Sequence, residues 1–132
     1  MTQQALILFA HGARDPEWAR PVEAVATRLR QINPDVPVRV AFLEFMAPTL
    51  SDAVVELCAQ HSAAGRSLTD LQIDILPFFI AQGGHVRRDV PEMLNVLAEQ
   101  YPDLKIRLLQ SLGELPPVQE AMASAISGLL SA

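Results

Sequence analysis

Apolar positions along the chain fall into two alternating patterns. Four short continuous runs stand out: residues 6–10 (LILFA), 38–43 (VRVAFL), 73–80 (IDILPFFI) and 105–109 (KIRLL). Each is followed by a stretch in which apolar residues recur at helical spacing. The first stretch carries Val22, Val25, Ala26 and Leu29, and the second Leu50, Val54, Leu57 and Cys58. The third carries Met93, Leu94 and Leu97, and the fourth Val118, Met122, Ala125, Ile126 and Leu129. Strands alternating with helices predict βα units around a parallel sheet. Strands covered on both faces read as unbroken apolar runs, whereas edge strands tolerate charge. The first and third runs are therefore central. The second, with Arg39, and the fourth, with Lys105 and Arg107, belong at the edges. A right-handed, doubly wound four-stranded sheet of order 2-1-3-4 satisfies this pattern, an α/β fold of flavodoxin-like layout.

The boundaries follow from capping and proline. Asp15-Pro16-Glu17 reads as a helix start, as do Ala47-Pro48-Thr49, Asp89 with Pro91, and Pro116-Pro117. Pro77 has no N–H to give to a ladder, so the third strand is expected to end there. The polar stretch 62–70 reads as a surface loop. Cys58, Met93, Met122 and Trp18 read as core or helix-packing residues, and His61 as a charge partner at a helix C-terminus.

Composition narrows the class. The chain has 132 residues, half of them hydrophobic and 19% charged, which fits one globular domain over 1–132 and excludes intrinsic disorder. No apolar run approaches the roughly 18 residues needed to span a bilayer, and no basic leader opens the chain. A net charge of -5 argues against non-specific nucleic-acid binding. A single cysteine fits a reducing compartment, and the expected location is the cytoplasm.

In open α/β sheets ligands bind beyond the carboxyl ends of the central strands. The residues falling there are unusual. The first strand runs out into His11-Gly12-Ala13-Arg14-Asp15, the second into Glu44, and the third into Gln82-Gly83-Gly84-His85-Val86-Arg87-Arg88. Each has a plain structural reading. His11 could tie a turn, and Glu44 could be solvated or paired with Arg14. Gly83 and Gly84 could serve an unusual turn, and Arg87 and Arg88 could be surface charges. Two imidazoles and a carboxylate converging on one rim nevertheless suit a first-row divalent metal, and few protein ligands leave positions open for exchange. Arg14, Arg87 and Arg88 suit carboxylates or phosphates, with glycine amides at a helix N-terminus adding anion-binding capacity. The outline is a metal beside an acidic organic ligand.

Three segments, LILFAHGARDP at 6–16, VAFLEFMAPTL at 40–50 and ILPFFIAQGGHVRRDVP at 75–91, resemble the small single-domain sirohydrochlorin chelatases of the class II chelatase group. SLGELPPVQEAM at 111–122 resembles the family's last strand-to-helix passage more loosely. The resemblance implies a chelatase-like fold and insertion of Co2+, Ni2+ or Fe2+, as a substrate, into sirohydrochlorin, with no organic cofactor. It implies metal ligation by His11 and His85, an acidic role for Glu44, and a homodimer supplying the second half that longer members carry in tandem. Substrate carboxylates would fall to Arg14, Arg87, Arg88 and the amides of Gly83 and Gly84. Ala13 departs from the serine often found after the family's His-Gly pair. Two other readings stand beside this one. A non-catalytic metal or tetrapyrrole carrier would use the same ligands. A histidine phosphatase-like hydrolase would need an arginine where this chain has Ala10.

Overall fold

A computed structural model describes residues 2–130, with His85 described by its backbone alone. The sheet consists of β1 (Gln3–Ala10), β2 (Val38–Phe42), β3 (Leu71–Pro77) and β4 (Lys105–Leu108), all parallel, in the order β2-β1-β3-β4. Between them run α1 (Arg20–Ile32), α2 (Leu50–Ala63) and α3 (Gly84–Gln100), and α4 (Pro116–Leu130) follows β4. The expected order and edge assignment hold. Central β1 and β3 bury both faces, while Arg39 on β2 reaches Glu56 and Gln60 on the surface of α2.

Alternation along the strands splits the core in two. Ile7 and Phe9 of β1, with Ile73 and Ile75 of β3, pack against Val54 and Leu57 of α2 and Val86 and Val90 of α3. Leu8 and Ala10, with Val38, Val40 and Phe42 of β2, pack against Val22 and Ala26 of α1. Strand positions two apart share a face, so the unbroken apolar run of β1 serves both layers.

Asp15 caps as expected, accepting from the Glu17 N–H, but the turn it opens is a 3-10 turn at Pro16–Ala19, and α1 begins only at Arg20. Thr49 caps α2 in a reciprocal capping box with Asp52. β3 stops at Pro77, as its missing donor requires, and the polar stretch after α2 is irregular apart from a short turn at Leu68–Asp70. No helix among the described residues is long and apolar enough to cross a membrane.

Two expectations need correction. α3 starts at Gly84, not at Asp89 or Pro91, and Pro91 lies inside the helix on its exposed side. An interior proline forfeits one backbone bond and costs about 3 kcal/mol. Burying Val86 and Val90, one turn apart, returns roughly 1.5–3 kcal/mol each, so the helix extends across the proline. Trp18, expected to pack inside, is 72% exposed, because the 3-10 turn that carries it buries no residue. The stripe expected on α4 forms but is largely uncovered: Ile126 is 58% and Leu129 79% exposed.

One buried polar group lies within the sheet. Asp74 of β3 is 1% exposed and accepts two hydrogen bonds from the Arg107 guanidinium, one from Gln4 and one from Gln72. Burial works against its charge, but these donors outweigh it and hold the carboxyl below the usual carboxylate range. The cluster ties β1, β3 and β4 together across the uncovered edge of the sheet.

Candidate functional site

β1 and β2 keep pairing past their formal ends. The Leu43 N–H donates to the Ala10 carbonyl at 2.9 Å, and the Glu44 N–H donates to the His11 carbonyl at 3.1 Å. Two backbones held this way place the His11 and Glu44 side chains next to each other, with Nε2 and Oε1 3.3 Å apart. Gly12 makes the approach possible. Its φ is +90°, and a Cβ there would stand 2.0 Å from the Glu44 carbonyl oxygen. Only glycine fits such a position. The pair is half open, the side chains being 54% and 47% exposed, so a ligand from solvent can reach both.

The His11 and Phe79 rings meet edge to face, with centres 6.1 Å apart and planes at 74°, which sets the imidazole beside the segment leaving β3. Arg14 does not pair with Glu44, as one reading of the sequence held. Its guanidinium lies over the Phe45 ring at 5.1 Å, while Glu44 faces His11. Stacking covers one face of the guanidinium and leaves its in-plane N–H donors available to an anion. Phe45 has φ +66°, an uncommon conformation for a bulky residue, directly beside the His11–Glu44 pair.

Gly83 and Gly84 also differ from expectation. Gly83 caps α3 with an ordinary φ of -73°, and a Cβ at either position would meet nothing within 4 Å. No unusual turn requires them. Their effect is to leave the first amides of α3 unshielded by side chains at the positive end of the helix. Arg87 and Arg88 are exposed on the first two turns of that helix. His85 occupies the first turn, and its imidazole lies outside the described residues. Among the described residues no group of three or more His, Cys, Asp or Glu side chains converges, so His11 with Glu44 is a pair.

One part of the surroundings was missed from the sequence. A groove of about 410 Å³ opens beside His11 and is lined by Trp18, Pro21, Val22, Phe78 and Ile80 as well as by Ala10 and Gly12. The available signal was local: Trp18 follows Glu17 and stands two residues before Arg20, which pairs with Glu17 at 2.9 Å, a charged setting unusual for a core tryptophan. His61 stands in the last turn of α2, as expected, but is buried, with Nε2 2.9 Å from the Ser67 carbonyl oxygen. Cys58 is buried too, and burial pushes its thiol up, which keeps it unreactive.

The CbiX family model matches residues 5–129. The sirohydrochlorin cobaltochelatase of Methanopyrus kandleri is 34% identical over 95 residues, covering 72% of this chain and 61% of that protein. A protein from Marinobacter aquaeolei described as a "putative cobalamin (vitamin B12) biosynthesis CbiX protein" superposes with a TM-score of 0.78 at 26% identity, over 97% of this chain and 98% of that one. SirB from Bacillus subtilis, solved with Fe3+, superposes with a TM-score of 0.73 at 23% identity, over 97% of this chain but 48% of that one. The chain thus spans about 60% of the length of the first curated relatives it matches and about half of SirB.

Proposed function

The chain belongs to the CbiX family, and from that premise we propose that it is a sirohydrochlorin chelatase, inserting Co2+, Ni2+ or Fe2+ into an acidic tetrapyrrole. The observation that carries this reading is the half-open His11–Glu44 pair at the carboxyl rim, 3.3 Å apart and reachable from solvent. Neutral imidazole is a good ligand for all three metals, and a site with few protein donors releases its ion readily. His11 and His85 hold the metal in this reading. Insertion expels two pyrrole protons: Glu44, beside the ion, accepts one of them, and the other passes to the solvent that reaches the half-open pair. Arg14, propped on Phe45, grips a peripheral carboxylate, and Arg87, Arg88 and the Gly83 and Gly84 amides grip others at the start of α3.

A second copy of the chain completes the enzyme. Support comes from SirB, which is about twice as long, and from the exposed apolar stripe of α4 with Ile126, Leu129 and Leu130. The unpaired, buried Cys58 suits a reducing compartment, the cytoplasm. The test is anaerobic incubation with sirohydrochlorin and each metal in turn, following absorbance. Many metallated products per protein are expected with at least one ion. A single equivalent and no more would instead identify a carrier, and rates equal to the protein-free reaction would reject both roles.

A further inference from the structure

We infer that Trp18 is the stacking wall of the substrate site: its indole receives one face of the tetrapyrrole in the groove that it shares with His11. The inference rests on the chelatase reading and adds a residue to it. Exposed large apolar residues usually stand alone on a surface. Here Trp18 is 72% and Ile80 75% exposed, and both line the same groove, over Val22 and Phe78. Both are held in place from behind. The turn bearing Trp18 is fixed by the Asp15 carboxylate, which accepts from the Glu17 N–H at 3.0 Å, by Pro16, and by the Glu17–Arg20 ion pair. Ile80 is braced by Gly113, whose N–H donates to the Phe79 carbonyl at 2.9 Å. A Cβ at Gly113 would stand 2.0 Å from the Ile80 oxygen. Two exposed hydrophobes presented by braced backbone make a wall.

The lining also selects the occupant. Apart from His11, the groove is walled by apolar side chains, so it suits a flat body without charge on its faces. Since His11 is part of that lining, whatever fills the groove lies against the imidazole assigned to the metal. Anionic groups at the edge of the same body find Arg14 on the adjoining loop, stacked on Phe45 beside Glu44. A tetrapyrrole with a π-face and a rim of carboxylates meets all three demands, and an indole is the side chain best suited to stack on it.

Trp18 is the chain's only tryptophan, so its fluorescence reports tetrapyrrole binding without interference from another indole. Titration with metal-free sirohydrochlorin is expected to quench it saturably. Trp18→Ala is expected to raise KM for sirohydrochlorin about ten-fold or more, the loss falling mainly in KM, as for removal of an aromatic stacking platform. Trp18→Phe is expected to recover most of it. Wild-type KM in Trp18→Ala, or Phe no better than Ala, would overturn the inference. So would a Trp18→Ala protein whose only change is dissociation by sedimentation, because the groove would then belong to a second copy. The two readings fail differently. Turnover by the wild type with Trp18→Ala unaffected sinks the stacking role alone. Saturable quenching without turnover leaves it standing and sinks insertion, and neither quenching nor turnover sinks both.

Discussion

His11→Ala is expected to lower the rate of metal insertion into sirohydrochlorin by about 100-fold or more while leaving the fold intact. The expectation follows from position. The imidazole stands beyond the last residue of β1, is half exposed, and meets the Phe79 ring and the half-exposed Glu44 carboxylate, so little packing is lost with it. Surface changes of this kind shift stability by about 0.5 kcal/mol. Function depends on it far more heavily, since it is one of two imidazoles assigned to the ion and the one whose neighbour, Glu44, is assigned a departing proton. Initial rates at saturating tetrapyrrole, with thermal unfolding alongside, separate the two effects. Insertion at the wild-type rate, or loss of rate matched by loss of the unfolding transition, would remove His11 from the mechanism.

Gly12→Ala reverses the balance, with a large effect on the fold first. A methyl group at position 12 would overlap the Glu44 carbonyl oxygen at 2.0 Å, and φ +90° is itself strained for any residue with a Cβ. Backbone strain of that kind costs about 1–3 kcal/mol before any clash. The clash is with backbone, which cannot swing aside, so relief requires breaking the Glu44 N–H to His11 carbonyl bond that holds the His11–Glu44 pair together. A loss of roughly 3 kcal/mol or more is expected in denaturant unfolding, near the upper end for single substitutions. Gly65→Ala supplies the comparison: φ is +78° there, but nothing lies within 4 Å of the added methyl, so only the conformational part of the loss is expected. Equal losses in the two variants would mean that the approach of Gly12 to Glu44 has no energetic weight.

Much of this was legible in the sequence because it depends on local chemistry. Arg39, Lys105 and Arg107 mark edge strands, since charge is tolerated where one side of a strand meets water, and the order β2-β1-β3-β4 followed. His11 and Glu44 could be placed on one rim because parallel strands present all their carboxyl ends together, and the family resemblance pointed to the same residues. What escaped depended on the sum of tertiary terms. Pro91 looked like a helix start because a proline's local preference is strong, yet burial of Val86 and Val90 outweighed it. Asp74 lay unremarked within an apolar run, because its donors come from residues 4, 72 and 107, which only the folded sheet assembles. Trp18 looked like core or helix packing because hydropathy carries no information about what covers a residue. It stays exposed in a single chain, on a surface that here is assigned to a substrate, and the exposed α4 stripe is assigned to a second copy.

If imidazole from the carboxyl rim takes hold of the metal, the ion's coordination shell carries its signature. X-ray absorption at the cobalt edge, on protein loaded with Co2+ before tetrapyrrole is added, reads that shell. Imidazole scattering is expected in the wild type, reduced by His11→Ala and again by adding His85→Ala. A shell of oxygen donors alone, or a spectrum unchanged by both substitutions, would rule out metal ligation by these histidines.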